Sequence, residues 1–259
     1  MGTAKRWRIS EIIVRHTRTG RGTIRRPALQ NLTAAQRGLL IAAPGKVLVS
    51  ADFSTLEPRV AAAWSNDPQL MADLDGDLYV ELAVQLFGST ARSDDKLRAR
   101  GKQMLLGLFY GRGAKSISRE LEVNLHEAQD LVERTWARYP TLESRVRHAK
   151  LSFSRLEVVT TMSGRPIPPP SKGLYQVLNY IAQANAADIF AAAVGRVAAH
   201  LGAESLFLSI HDELVVMVPD SESESARQVL ADHERCSHAR SDKSAWHPLR
   251  QIVGIEIPR

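Results

Sequence analysis

Apolar and polar positions along this chain predict a few short strands among longer helices. Two apolar runs, residues 206–210 and 214–218, flank the polar residues His211, Asp212 and Glu213. Apolar runs of this length, joined by a short polar link, predict a β-hairpin with buried strands. The hairpin would place a pair of carboxylates at a turn on the edge of the core. A solvated turn is the ordinary interpretation of such a tip.

A second predicted strand also ends in an aspartate. Residues 47–51 are apolar enough for a buried strand, and Asp52 follows them directly. A helix is predicted over residues 54–64, where Ser54 and Glu57 match a capping box. Glu57 therefore has a structural explanation, and Asp52 has one as a carboxylate near a helix N-terminus.

Helical periodicity covers much of the remaining chain. It predicts helices over residues 78–87, 94–110, 116–139 with a break near 123–125, 141–153, 175–201 and part of 220–245. Short strands are predicted over 158–162 and 251–257, and a rigid connector over 166–170.

The helix over 94–110 presents a stripe of side chains at steps of four residues, which return to nearly the same face. The stripe consists of Arg98, Lys102, Leu106 and Tyr110. Two cations one turn apart match successive phosphates of a nucleoside triphosphate. The alternative is a solvated basic face.

Other polar residues lie at positions suited to nucleic acid. Asn179 and Gln183 share one face of a helix, where amides can bind minor-groove acceptors or form hydrogen bonds within the core. The glycine-containing segment 19–31 includes Arg21 and is predicted to be a loop whose backbone can approach a phosphate closely. A solvated basic loop is the alternative there.

Composition favours a polyanionic partner and argues against several other classes. The 259 residues carry a net charge of +6, and their 44% hydrophobic content is typical of a globular protein. The single cysteine, Cys236, excludes an internal disulfide and fits a reducing compartment. The N-terminal sequence lacks the apolar region of a signal peptide, and no apolar run approaches the length of a membrane span, so no membrane partner is expected.

The two predicted strand ends together suggest a metal site. Asp52 and Asp212 would repel each other if held close, unless divalent cations neutralised them. Mg²⁺ prefers a few carboxylates together with substrate phosphates. With Arg98 and Lys102, the two aspartates raise the hypothesis of a two-metal phosphoryl-transfer site.

These residues lie in motifs that resemble the family A DNA polymerases of the bacterial DNA polymerase I class. VSADFSTLEPRV (49–60) resembles the first palm motif, RARGKQMLLGLFYG (98–111) the fingers helix, and LSIHDELV (208–215) the palm hairpin. The resemblance covers roughly residues 8–257, with all motifs in the family's order. Supporting matches are TGRGTIRRPALQN (19–31), GDLYVELAVQLFG (76–88), SGRPIP (163–168) and NYIAQANAAD (179–188).

The resemblance implies an α+β fold, in which a palm with an antiparallel sheet and helices carries an inserted helical fingers subdomain. Residues 1–75 would form an N-terminal arm and the first part of the palm, 76–170 the fingers, and 171–259 the second part of the palm. The family's thumb and exonuclease domains precede the first match and are expected to be absent. Proofreading is then not expected, processivity should be low, and a separate chain could supply a thumb.

The resemblance also implies catalytic roles. Asp52 and Asp212 would hold two Mg²⁺ ions, with Mn²⁺ as an alternative, one ion activating the primer 3′-hydroxyl and the other stabilising pyrophosphate. Glu213 would support this site. Arg98 and Lys102 would bind the triphosphate of the incoming dNTP, and Lys102 could protonate the leaving group.

Further implied roles concern substrate selection and the primer–template. Glu57 would block a ribose 2′-hydroxyl, and Tyr110 would stack near the nascent base pair. The residues implied in contacts with primer–template DNA are Arg21, Asn179, Gln183 and His211.

The sequence departs from the family pattern at several nucleotide-binding positions. Leu106 replaces a Phe or Tyr, and Tyr79 replaces a phosphate-contacting His. Leu cannot stack, and a phenol can donate one hydrogen bond but carries no charge. Ala184 and Asn185 replace a Gly-Thr pair. Weak nucleotide binding and altered sugar discrimination are expected.

The sequence is compatible with three functions. The first is a template-directed DNA polymerase, and the second is a catalytically weak palm–fingers module that binds nucleic acid or needs a partner chain. The third is an RNA polymerase of the related single-subunit phage class, which Glu57 and Glu213 disfavour. A cytoplasmic location is expected, either with the nucleoid or in a phage-infected cell.

Overall fold

The computed structural model describes residues 14–24 and 29–235. Contacts divide these residues into two compact units. The first unit contains the described residues through Ser54 and from Ile189 onward, and the second contains Thr55–Asp188. Cys236 and the strand predicted over 251–257 lie outside the described residues.

Short strands and longer helices follow one another as the periodicity predicts. The strands are β1 (Val14–His16), β2 (Gly22–Ile24), β3 (Lys46–Asp52), β4 (Val159–Thr160), β5 (Pro166–Ile167), β6 (Leu206–Ile210) and β7 (Glu213–Pro219). The α-helices are α1 (Ala34–Arg37), α2 (Leu56–Ser65), α3 (Pro68–Asp75), α4 (Leu78–Phe87), α5 (Asp95–Phe109), α6 (Ala114–Leu121), α7 (Leu125–Arg138), α8 (Pro140–Ser154), α9 (Val177–Leu201) and α10 (Ser223–Arg235).

The first unit is built on an antiparallel sheet with strand order β3-β7-β6. Strands β6 and β7 form the predicted hairpin, and His211 adopts a left-handed conformation with φ of 53° in its turn. Strand β3 pairs with β7 from Lys46 opposite Pro219 to Asp52 opposite Glu213. This register brings the predicted strand end at Asp52 beside the hairpin tip.

Apolar side chains cover both faces of this sheet, as the period of two along a strand requires. On one face, Ala51 and Val216 pack with Val197 of α9 and Leu230 of α10. On the other face, Leu208 and Ile210 of β6 and Val215 of β7 pack with Ile24 of β2 and with Leu29. The fully packed sheet therefore gives the polar residues at its edge a rigid support.

The second unit is largely helical and contains a two-stranded hairpin of β4 and β5, of which only β4 lies in a predicted strand. Its main core contains Leu82 of α4, Met104 and Phe109 of α5, and Leu142 of α8. Helix α5 begins directly after Asp94, whose side chain accepts hydrogen bonds from the amides of Lys96 and Leu97. The antiparallel sheet and the helices together confirm the predicted α+β class.

The capping box predicted at the start of α2 is wrong. The N-cap is Thr55 rather than Ser54, with φ of 51°, and it makes no side-chain capping bond. Further elements escaped prediction. Among them are helix α1, strand β2 within the predicted loop 19–31, helix α3, which begins at Pro68 after the capping residue Asp67, and strand β5 within the predicted connector.

The second unit also accounts for the acidic segment that surrounds α3. The carboxylate of Asp73 is buried, accepts hydrogen bonds from Arg138 and the Tyr139 hydroxyl, and so serves the core. Among the described residues, no helix is both long and apolar enough to cross a membrane. The limits predicted for palm and fingers differ from the compact units and stay a prediction.

Candidate functional site

The predicted metal-binding aspartates meet at one edge of the sheet. Asp52 ends β3 and lies opposite Glu213, the first residue of β7, while Asp212 belongs to the adjoining turn. The Phe53 amide donates a hydrogen bond to the Asp212 carbonyl at 3.2 Å. The sheet register therefore brings together two acidic positions that are far apart in the sequence.

The surroundings of Asp52 disfavour its negative charge. Partial burial and the nearby carboxylates of Asp212 and Glu213 raise the pKa of Asp52 to about 6, against the opposing charge of Arg37. The residue keeps contact with solvent, so a cation could reach it. A cation bound beside Asp52 would stabilise its ionised carboxylate.

Asp212 shares this character. Burial raises the pKa of its carboxyl, while the charges of Arg21 and His211 oppose that rise. The Arg21 Nη2 atom donates to Asp212 Oδ1 at 3.2 Å. Arg21, predicted to contact DNA, therefore lies at the carboxylate pair, and His211 lies in the same turn.

Arg37 is a residue of this site that sequence reasoning missed. Its Nη1 atom donates to Glu213 Oε2 at 2.5 Å from the last position of α1. This bond holds Glu213 in place. The positive charge of Arg37 also acts to lower the pKa of Asp52, against the effects of burial and the nearby carboxylates. No local pattern indicates Arg37, because its partner lies 176 positions away in the sequence.

The donor set fits a divalent cation of the hard, oxygen-binding class. Asp52 and Asp212 offer carboxylate oxygens whose ionisation is opposed by burial and, at Asp52, by mutual repulsion, and a bound cation relieves both costs. No cluster of three or more His, Cys, Asp or Glu suited to a metal occurs within residues 14–24 and 29–235. Water and substrate oxygens would therefore complete the coordination of such a cation.

The predicted stripe on α5 belongs to the second unit. Arg98 and Lys102 both lie over the ring of Tyr79, which projects from α4. Lys102, Leu106 and Tyr110 line a cavity of about 300 Å³ beside the ion pair of Arg112 and Glu120. The stripe thus combines cations with a recess whose lining is mostly apolar.

The remaining predicted site residues of the second unit are mostly buried. Glu57 in the first turn of α2 is 8% exposed. Asn179 on α9 is also 8% exposed, and its Oδ1 atom accepts no hydrogen bond from the described part of the chain. Gln183 lies one turn further along α9 and is half-buried.

Asn185 is a second residue that sequence reasoning undervalued. Its Oδ1 atom accepts from the Met162 amide at 2.7 Å, and its Nδ2 atom donates to the Ile181 carbonyl at 2.8 Å. Arg165 donates to Asp188 at 2.6 Å and to the Ala184 carbonyl. These bonds fasten the turn between β4 and β5 to the part of α9 that carries Asn179 and Gln183.

Comparisons with known proteins identify sequences to which this chain is similar. The sequence profile described as DNA polymerase family A matches residues 5–239. The DNA polymerase theta of Caenorhabditis elegans is 30% identical over 224 residues, which are 79% of this chain and 13% of that protein. The thermostable DNA polymerase I of Thermus filiformis is 30% identical over 238 residues, 83% of this chain and 28% of that protein.

A solved structure is similar over most of the chain. The polymerase domain of Pol1 from M. smegmatis, in complex with a DNA primer–template and dNTP, superposes with a TM-score of 0.78 at 25% identity. The match covers 88% of this chain and 45% of that one. The chain therefore spans less than half the length of these relatives, and it belongs to DNA polymerase family A.

Proposed function

We propose that this chain catalyses template-directed DNA synthesis, adding deoxynucleotides to the 3′-hydroxyl of a primer. The observation that carries the proposal is the meeting of Asp52 and Asp212 at one sheet edge, with the pKa of each carboxyl raised. Membership of DNA polymerase family A and the DNA and dNTP bound by the structural neighbour support it.

The carboxylates of Asp52 and Asp212 would hold two Mg²⁺ ions, and Mn²⁺ has similar ligand preferences. When bound, such ions supply positive charge that favours ionisation of the primer hydroxyl and stabilises the leaving pyrophosphate. Arg37 donates a hydrogen bond of 2.5 Å to Glu213 and so keeps this third acid of the edge in a fixed position. Arg21 partly neutralises Asp212 and would contact the primer–template.

Arg98 and Lys102 would bind the triphosphate of the incoming nucleotide. Their side chains project from one face of α5, and Lys102 can also donate a proton to the leaving pyrophosphate. Phosphoryl transfer needs mainly positioning and charge neutralisation from the protein. The proposed roles of aspartates and cations match that requirement.

Substrate selection would depend on buried and apolar residues. Glu57 would exclude a ribose 2′-hydroxyl, and Tyr110 would stack near the nascent base pair. Leu106 offers no aromatic ring, so we expect weak nucleotide binding. Further contacts with primer–template DNA are proposed for His211, Asn179 and Gln183.

Primer extension with Mg²⁺, comparing dNTPs with NTPs on wild type and Asp212→Asn, tests this function. Extension by the wild type that is lost in Asp212→Asn supports the proposal. No extension by the wild type at high enzyme and low salt would favour a binding module that needs a partner chain. Extension equally good with NTPs would favour an RNA polymerase.

Low processivity and the lack of proofreading stay predictions for these 259 residues. A heparin trap added after one binding event measures the number of nucleotides added per encounter. Incubation of a mismatched primer without dNTPs measures excision. Long products in the trap experiment, or removal of the mismatch, would contradict these predictions.

A further inference from the structure

Two cations of α5 converge on one aromatic ring. The guanidinium carbon of Arg98 lies 5.6 Å from the centroid of the Tyr79 ring, and the Lys102 ammonium nitrogen lies 5.5 Å from it. Both distances are within the range of cation–π attraction. Tyr79 is 7% exposed and belongs to the main core of its unit. The flexible side chains of Arg98 and Lys102 therefore share one platform, the Tyr79 ring, which its packing in the core holds in a fixed position.

Gly101 allows that platform to come close. It lies between Arg98 and Lys102 on α5, and a Cβ atom at this position would be 2.6 Å from the Tyr79 carbonyl oxygen. The same atom would be 3.1 Å from the Cβ of Ala83. Since any larger residue would separate α5 from α4, the glycine keeps the ring within reach of both cations.

Asp77 adds a negative charge to the same place. Its Oδ1 atom caps α4 by accepting from the amides of Tyr79 and Val80, and its Oδ2 atom accepts from Arg98 Nε at 2.7 Å. Burial raises the pKa of Asp77, but the bonds from Arg98 and the helix amides outweigh it and hold this pKa below its ordinary value. Asp77 is therefore an anion at neutral pH.

Apart from the ring contacts, the remaining donors of this cluster have no hydrogen-bond partner within residues 14–24 and 29–235. The terminal amino groups of Arg98, the ammonium of Lys102 and the Tyr79 hydroxyl make no hydrogen bond there. Burial raises the pKa of Tyr79, so its hydroxyl keeps its proton. The cluster thus offers two cations and one neutral donor for an anion, while one carboxylate already engages Arg98.

We propose that Tyr79 is a positioning residue whose ring preassembles Arg98 and Lys102 as a cradle for the nucleotide triphosphate, and that Asp77 competes with the triphosphate for Arg98. The inference rests on the proposed function, because it takes this face as the triphosphate site. Preassembled cations lose less conformational freedom when the ligand binds. A carboxylate beside them reduces their attraction for a polyanion.

Titration calorimetry of the full chain with inorganic tripolyphosphate, in EDTA, measures the cradle without metal or DNA. We expect Tyr79→Phe to bind within about twofold of wild type, since the ring remains, and Tyr79→Leu to bind about fivefold or more weakly. Asp77→Asn should bind about threefold more tightly, and Asn still caps the helix. The matched control Lys96→Gln removes one charge from the exposed first turn of α5 and should change affinity less than twofold.

Steady-state kinetics separate positioning from a purely structural role. Tyr79→Leu should raise the KM for dNTP with kcat little changed, and Tyr79→Phe should restore the wild-type KM. Three results would each overturn the proposal. They are equal tripolyphosphate affinity of wild type and Tyr79→Leu, a loss of affinity in Tyr79→Phe as large as that in Tyr79→Leu, and weaker tripolyphosphate binding by Asp77→Asn than by wild type. Should Tyr79→Leu fail to fold by circular dichroism, Asp77→Asn decides the test.

The design also separates this inference from the proposed function. Asp212→Asn should abolish primer extension and leave tripolyphosphate binding unchanged. If the wild type extends no primer yet the affinity series holds, the polymerase proposal fails while the polyphosphate cradle stands. If primers are extended and the affinity series is flat, only the cradle fails.

Discussion

Asp52 holds a negative charge at a point where its surroundings disfavour one. Its pKa is raised from 3.8 to about 6 by partial burial and by Asp212 and Glu213. The unfolded chain lacks these neighbours, so the folded protein binds the proton more tightly. Ionisation of Asp52 therefore costs stability as pH rises from about 4 to about 6, and the full cost remains above that range. The ionised Asp52 carboxylate, which the proposed function requires, would then lower the stability of the folded protein.

Asp52→Asn should accordingly stabilise the metal-free protein. Because solvent screens a partly exposed group, we expect a gain of about 1 kcal/mol at pH 8 in EDTA, or a Tm higher by roughly 2–4 °C. Differential scanning calorimetry measures it, and the gain should shrink towards pH 4. Added Mg²⁺ should raise the Tm of wild type more than that of the variant. A variant that is less stable than wild type at pH 8 in EDTA would contradict this account.

Leu106 is the residue where more nucleotide affinity should be obtainable. It lines a cavity of about 300 Å³ beside Lys102 and Tyr110, which leaves room for a larger side chain. Leu106→Phe would add an aromatic ring and should lower the KM for dNTP about fivefold, a gain of order 1 kcal/mol. Leu106→Met is the matched control, since it changes shape without adding a ring. Single-nucleotide incorporation kinetics measure both variants, and equal KM values for wild type and Leu106→Phe would refute the prediction.

Residue positions differ in how far the sequence can predict their role. The proximity of Asp52 and Asp212 could be predicted because each comes at the end of an apolar run that leads into a polar turn, while their catalytic role stays a prediction. Arg37 and Asn185 could not, because their roles depend on partners that only the folded chain brings near, such as Glu213 and Met162. Long-range polar contacts leave no periodic signal along the sequence.

At the scale of elements, hydrophobic periodicity predicted the long helices and the hairpin well. Helices α4, α5, α7 and α9 and the pair β6–β7 formed where their apolar spacing required. Helix α3 was missed because its two acidic residues, Asp73 and Asp75, obscured its apolar face, and the capping box failed because Thr55 takes a left-handed conformation. Local residue types thus indicate where an element lies better than how it begins.

The β4–β5 hairpin offers a test of how elements are joined. Asn185→Ala removes the buried bonds to Met162 and Ile181 and should cost about 1–3 kcal/mol of unfolding free energy. Chemical denaturation measures the loss, and limited proteolysis should cut the turn at 161–165 faster. Arg147→Gln, which breaks an exposed i,i+4 ion pair, is the control and should cost less than about 0.5 kcal/mol. An equal loss of unfolding free energy in both variants would show that contacts other than those of Asn185 hold the hairpin in place.

For the whole molecule, the division into compact units was beyond sequence reasoning. The boundary near Asp188 falls inside α9, where the helical pattern continues without a break. A boundary of this kind is defined by which residues contact one another in three dimensions. Net charge does not depend on which residues contact one another, so it is the whole-chain property that the sequence establishes most directly.

The net charge of +6 leads to a prediction for DNA binding by the whole chain. Binding should weaken steeply with salt, because each neutralised phosphate releases condensed counterions and contributes about −0.9 to the slope of log K against log salt on a duplex. Arg21 also pairs with Asp212, so its contribution is best measured in an Asp212→Asn background. There, Arg21→Gln should reduce the slope by about 1, measured by fluorescence anisotropy on a primer–template. The control Arg92→Gln loses an equal charge from an exposed pair with Glu81 and should leave the slope unchanged. If both substitutions change the slope equally, DNA binding depends on overall charge rather than on the edge of the sheet that carries the carboxylates.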